Sequence, residues 1–168
     1  MAGSVDTLRY TGEALSLIDQ RILPGRIEYV RCRDALEVAT AIRDMVVRGA
    51  PAIGCAAAFG VALEAAARRD MPRGAFDASL ETGFDVLAKS RPTAVNLFWA
   101  LERMRAAFRR TRADSPASAA KTLLDEAQAI LAEDLATCRA IGEAGASLVA
   151  DGARILTHCN AGALATAL

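Results

Sequence analysis

Arg48-Gly49-Ala50-Pro51-Ala52-Ile53-Gly54 opens the stretch that decides the fold. Gly49 ends one helical pattern, and Pro51 stands where a first helical turn tolerates proline. An Ala-rich helix then runs to about Arg69. Its uncharged portion, Ala50 to Leu63, is broken by Glu64 and falls short of the ~20 residues of a membrane span. Upstream, Asp34 caps the preceding helix, and Glu37 completes a capping-box pattern. Ala35, Val38, Ile42 and Met45 recur at helical spacing and form one apolar face of that helix.

Working outward, the N-terminal side reads as strands. Leu15 to Leu23 is dense in β-favouring residues, Pro24-Gly25 is a turn signal, and Ile27 to Cys32 is a second strand. Together they predict a small antiparallel unit. On the C-terminal side the pattern predicts helices over Phe76–Lys89, Thr93–Arg110 and Ala117 to about Val149, the last with a bend near Gly142 and Gly145. Beyond the Asp151-Gly152 turn the character changes. Ala153–His158 reads as a strand, Cys159-Asn160-Ala161-Gly162 as a turn, and Ala163–Leu168 as the first turns of a helix. That order opens a parallel α/β layer. The expected organisation is a β-hairpin plus helical domain over 1–150 and the start of a second domain over 151–168.

Composition narrows the function classes. In 168 residues the apolar share is 53% but aromatics are only 5%, which suits closely packed helices. Twenty basic and twenty acidic residues cancel, so no net charge draws the chain to nucleic acid or to an anionic membrane. The N-terminus shows no basic segment followed by an apolar run, so a cytoplasmic location is the default expectation. Four cysteines without a C-x-x-C pair, and one histidine, do not fit a zinc site.

Three places share one physical theme, a helix start flanked by small residues, where bare N–H groups and a partial positive charge favour anions. The first is Arg48-Gly49-Ala50, where an arginine sits beside open amides; the plain alternative is an interhelix turn with a solvated arginine. The second is Ser90-Arg91-Pro92-Thr93-Ala94-Val95-Asn96, whose plain alternative is a helix cap. Two such arginines could grip one phosphate. The third is Thr157-His158-Cys159-Asn160-Ala161-Gly162. A thiol between a strand end and a helix start has a lowered pKa, and ligands of open α/β sheets bind at such ends; a buried structural cysteine is the alternative. Adjacent residues of an extended segment face opposite ways, so His158 and Cys159 do not make a nucleophilic dyad. His158 reads as packed or hydrogen-bonded. Cys32, Cys55 and Cys138 read as core, and the arginines from Arg103 to Arg112 as a solvated helix end.

Met45–Gly54, Arg91–Leu97 and Leu156–Thr166, in that order and spacing, resemble the three signature segments of the methylthioribose-1-phosphate isomerases. Leu8-Arg9-Tyr10 and Ile18–Pro24 are similar to that family's N-terminal strands. The resemblance implies an α/β fold for the whole family, with this chain mainly helical, carrying a small N-terminal antiparallel β unit and the first strand of a Rossmann-like domain. It implies a homodimeric isomerase of methionine salvage that acts on a sugar phosphate and needs no metal or other cofactor. It assigns catalysis to Cys159 and phosphate binding to Arg48, Gly49, Ala50 and Arg91. The family's aspartate matches no residue here, so the chain is expected to stop before that site is complete. Two neighbouring readings remain open at this stage, a ribose-1,5-bisphosphate isomerase and a non-catalytic regulatory subunit that binds a sugar phosphate or nucleotide.

Overall fold

A computed structural model describes residues 6–158 and 161–167. Three short strands, β1 (Leu8–Tyr10), β2 (Leu15–Ile18) and β3 (Tyr29–Cys32), form an antiparallel sheet in the order β1-β2-β3. Leu15 lies opposite Cys32 and Leu17 opposite Val30. The first expected strand is shorter than its composition suggests. After Ile18 the Asp19 carboxylate folds back on Arg21, accepting from Nε at 2.8 Å and from an Nη at 2.6 Å, and the Ile22 N–H turns to the Asp19 carbonyl. This local pairing outcompetes extension.

Five helices follow: α1 (Ala35–Arg43), α2 (Ala50–Ala67), α3 (Arg73–Ser90), α4 (Val95–Arg110) and α5 (Pro116–Ala146). At the start of α1, Asp34 accepts from the Glu37 N–H at 2.8 Å, while the Glu37 carboxylate reaches one residue beyond the cap to the Arg33 N–H. The helix ends earlier than its apolar spacing implies. The Val46 N–H bonds to the Ala41 carbonyl and the Met45 N–H to that of Ile42, the paired bonds of a Schellman ending. Met45 takes the left-handed position at φ 63°, is exposed, and is not part of the apolar face. The burial of Val46 and Val47 supplies the reason, since it turns the chain inward.

Helix α2 is the axis of the molecule. It is long and apolar enough to cross a membrane by length and composition, but 78% of it is buried under protein. A helix that is apolar all round needs partners all round, and α1, α3, α4 and α5 supply them. Small residues let those partners come close. A side chain at Gly60 would meet Val38 of α1 and Leu87 of α3 at 3.2 Å. Phe59 is fully buried and stacks on Tyr10 with ring centroids 5.3 Å apart, which fastens the sheet to the helices. The one charge on the buried part of α2, Glu64, is satisfied by the Ser79 hydroxyl at 2.6 Å and by Arg68 at 3.4 Å.

The arginine-rich end of α4 is only partly solvated. Arg103 bridges to Glu126 and Glu133 of α5, and Arg105 reaches Glu81 of α3 while its guanidinium covers the Phe84 ring at 4.3 Å. Their charges lie on the flanks facing neighbouring helices, so they join elements where the charge run alone suggests a free surface. Helix α5 continues through Gly142 to Ala146.

Two stability outcomes follow from this packing. Phe59→Ala removes both the ring contact and the filling of the core, and should lower the unfolding free energy by about 3–5 kcal/mol in urea titration. Met45→Gly relieves the left-handed backbone at an exposed site and should raise it by about 0.5–1 kcal/mol in the same assay. A loss of stability there would contradict the Schellman ending.

Candidate functional site

The start of α2 is open. Gly49 is its N-cap and provides no side-chain cap, and Pro51 has no N–H to place. The Ala50 N–H finds no hydrogen-bond partner among the described residues. Arg48 is exposed and makes no ion pair among the described residues. The start of α4 has the same character. Arg91 ends α3, its carbonyl accepts from the Ala94 N–H at 3.0 Å, and Ala94 caps α4 without a side-chain bond. Arg91 is half-buried and likewise without an ion pair among the described residues. The two helix starts meet. A Cβ on Gly54, one turn into α2, would lie 3.0 Å from the Asn96 carbonyl oxygen in the first turn of α4.

A third piece closes on this junction. The stretch 161–167 carries a 3-10 turn, Ala163–Ala165, whose backbone rests on Gly49. A Cβ at Gly49 would lie 2.1 Å from the Ala165 Cα and carbonyl oxygen, so only glycine fits. The glycine expected to admit a ligand therefore admits the chain's own backbone at this point. Three side chains from distant parts of the sequence hold the same stretch. The Thr7 hydroxyl donates to the Ala163 carbonyl at 2.7 Å, the Gln20 amide donates to the Leu164 carbonyl at 2.8 Å, and the Asp134 carboxylate accepts from the Ala167 N–H at 2.9 Å. The Gln20 N–H also donates to the Val46 carbonyl at 3.1 Å, which ties this cluster to the approach to α2.

The segment leading there differs from its reading. Ala153–His158 is exposed and is not a strand. A strand exists through its neighbour's hydrogen bonds, and among the described residues none pairs with it. His158, expected to be packed or hydrogen-bonded, is exposed for the same reason. Cys159, the expected reacting residue, lies outside the described residues. Arg48, Gly49, Ala50 and Arg91 are all described: the first three lie at the start of α2, and Arg91 closes α3 just before the N-cap of α4.

Beside this junction a cavity of about 400 Å³ opens between α2, α4 and α5, lined by Pro51, Asn96, Trp99, Glu133 and Asp134 among others. The Arg103 guanidinium holds the Glu133 carboxyl below the usual carboxylate range. Cys55 borders the cavity but is 1% exposed, and burial pushes its thiol up to about 12. Burial does the same to Cys32, with Glu37 and Asp34 adding to it. Both remain thiols at neutral pH, in line with core packing. Thr7, Gln20 and Asp134 escape a reading of the sequence. Gln20 sits within a conspicuous run, Asp19-Gln20-Arg21, but Asp134 is one of many acidic residues on a long helix, and only the fold aims it.

The family comparison agrees with these segments. The Initiation factor 2 subunit family matches residues 46–168. The chain is 58% identical to the methylthioribose-1-phosphate isomerase of Albidiferax ferrireducens over 164 residues, which is 98% of this chain and 46% of that protein. It is 54% identical to the enzyme of that name from Syntrophotalea carbinolica, over 97% of this chain and 47% of that one. The chain thus spans about half the length of the curated relatives it matches. Among solved structures, the 5-methylthioribose 1-phosphate isomerase of Pyrococcus horikoshii superposes with a TM-score of 0.92 at 39% identity, over 98% of this chain and 46% of that one. The delta subunit of translation initiation factor eIF-2B from A. fulgidus superposes at 0.88 with 40% identity, over 98% and 47%. On the match over residues 46–168, the chain belongs to the Initiation factor 2 subunit family.

Proposed function

We propose that this chain carries the phosphate-gripping part of an isomerase that interconverts 5-methylthioribose 1-phosphate and 5-methylthioribulose 1-phosphate in methionine salvage. The observation that carries the reading is the pair of uncapped helix starts, each beside an arginine without an ion-pair partner among the described residues. Relatives of that name at 58% and 54% identity support it. In this reading the assembly is a cytoplasmic homodimer. Residues 1–150 form the helical domain with its small sheet, and 151–168 lead into a Rossmann-like layer.

The chemistry explains why a phosphate grip matters. The phosphate sits on the anomeric carbon, so the free aldehyde is not available and ordinary ring opening is blocked. The ring must open with phosphate in place, and hydrogen must then pass from C2 to C1. Arg48, the Ala50 N–H and Arg91 hold the phosphate in this scheme, with Gly49 shaping the turn. A guanidinium and a bare amide together give charge-assisted bonds to its oxygens. With hydrogen moving as a proton, Cys159 as thiolate is the base that takes it from C2. The complementary acid is not assigned to a residue of this chain.

A second reading has one observation in its favour, the likeness to the delta subunit of eIF-2B. There the same grip serves a regulatory subunit that binds a sugar phosphate or nucleotide without turning it over.

Calorimetry with 5-methylthioribose 1-phosphate tests the grip. Arg48→Ala and Arg91→Ala should each weaken binding about tenfold or more, the worth of a charged hydrogen bond. Undiminished binding in both variants would remove the basis of the proposal. In the protein as its gene encodes it, Cys159→Ser should cut isomerisation by about a hundredfold or more while leaving binding in place. Unchanged function in that variant favours the regulatory reading.

A further inference from the structure

We infer that the cavity between α2, α4 and α5 is the subsite for the substituent at C5 of the sugar, where Val95 and Trp99 receive the methylthio group and Glu133 and Asp134 turn away a phosphate. The inference rests on the proposed phosphate grip at the two helix starts, since the grip fixes the other end of the substrate. Pro51 and Asn96 lie in the first turns of α2 and α4 and also line the cavity, so it adjoins the grip. Its volume of about 400 Å³ falls in the range of small-molecule sites. Val95 and Trp99 stand one turn apart on α4, 78% and 49% exposed. The buried face of that helix is a different one, formed by Leu97, Leu101, Met104 and Phe108. Core packing therefore leaves the exposed pair without an explanation, and the cavity supplies one.

The Trp99 ring is held in place. The Arg103 guanidinium lies 5.7 Å from its centroid and is itself tied to α5, donating from Nε to Glu126 at 2.6 Å and from an Nη to Glu133 at 2.8 Å. A fixed aromatic wall suits a thioether, because sulfur against a ring is a favourable contact and the methyl group leaves water. The same wall offers a phosphate nothing. Among the described residues that line the cavity there is no lysine, arginine or histidine. Arg103, which meets both Trp99 and Glu133, already donates from Nε and both Nη groups to glutamates. Glu133 and Asp134 present carboxylates instead, and Arg103 keeps Glu133 ionised at neutral pH. A phosphate at C5 brings about −1.5 to −2 charge and meets like charge there. Attraction of the right substituent and repulsion of the wrong one act together, which separates the methylthio sugar from a 1,5-bisphosphate.

The test is equilibrium binding, by calorimetry on the protein as its gene encodes it, of three ligands that share the 1-phosphate: 5-methylthioribose 1-phosphate, ribose 1-phosphate and ribose 1,5-bisphosphate. Loss of the methylthio group should weaken binding about tenfold. The second phosphate should weaken it by about threefold more at low salt, and that deficit should shrink as salt rises. Trp99→Ala should remove most of the methylthio preference and leave ribose 1-phosphate binding in place. Glu133→Gln and Asp134→Asn, the latter keeping an acceptor for the Ala167 N–H, should each narrow the gap between the bisphosphate and ribose 1-phosphate. Should Trp99→Ala unfold, as urea titration would show, Val95→Lys at its exposed position decides by raising bisphosphate binding. Equal binding of the three ligands by the parent protein, or ratios unmoved in folded variants, overturns the inference and leaves the grip standing. Failure of all three ligands to bind overturns the grip, and the inference with it.

Discussion

Close approach to α2 is the constraint on which everything else depends. An α-helix with small residues at Gly49, Gly54 and Gly60 lets neighbouring chain come nearer than ordinary side chains permit. At Gly60 the benefit is packing with α1 and α3. At Gly54 it brings the start of α4 beside the start of α2. At Gly49 it admits the backbone of Ala165. The same property therefore builds the core in the middle of the helix and the candidate site at its first turn. Dispersion and burial stabilise the former, and the latter leaves amides open and guanidinium groups unpaired among the described residues.

The polar groups are arranged on a different principle from the core. Where a charge lies inside, it is answered locally, as Glu64 is by Ser79 and Arg68. Where α4 and α5 run side by side, Arg103 spans them through two glutamates. At the junction of α2 and α4, Arg48 and Arg91 have no ion-pair partner among the described residues.

Much of this was legible in the residues. Asp34 with Glu37, Pro51 after Gly49, and the Ala-rich run fixed the helix starts and the central helix, because caps and apolar periodicity are local signals. Two of the three signature segments fall at helix starts, those of α2 and α4. What was not legible needed neighbours. Met45 looks like the next residue of an apolar face, and only the inward turn of Val46-Val47 takes it out. Ala153–His158 has strand composition, but strand composition without a pairing partner makes no strand. Arg103 and Arg105 look like a solvated run until α5 and α3 supply their glutamates. Asp134 carries no local mark at all, since its role comes from where a long helix passes a segment thirty-three residues further on.

The order of elements along the chain has a consequence for synthesis. Helix α2 leaves the ribosome after the sheet and α1 but ahead of α3, α4 and α5, which cover most of its remaining surface. For that interval the nascent protein displays an apolar rod of membrane-like composition, interrupted only by Glu64. Until later helices arrive, the rod is open to chaperones and to sticking to other unfinished chains. The small residues that make its centre compact also make its unfinished state vulnerable.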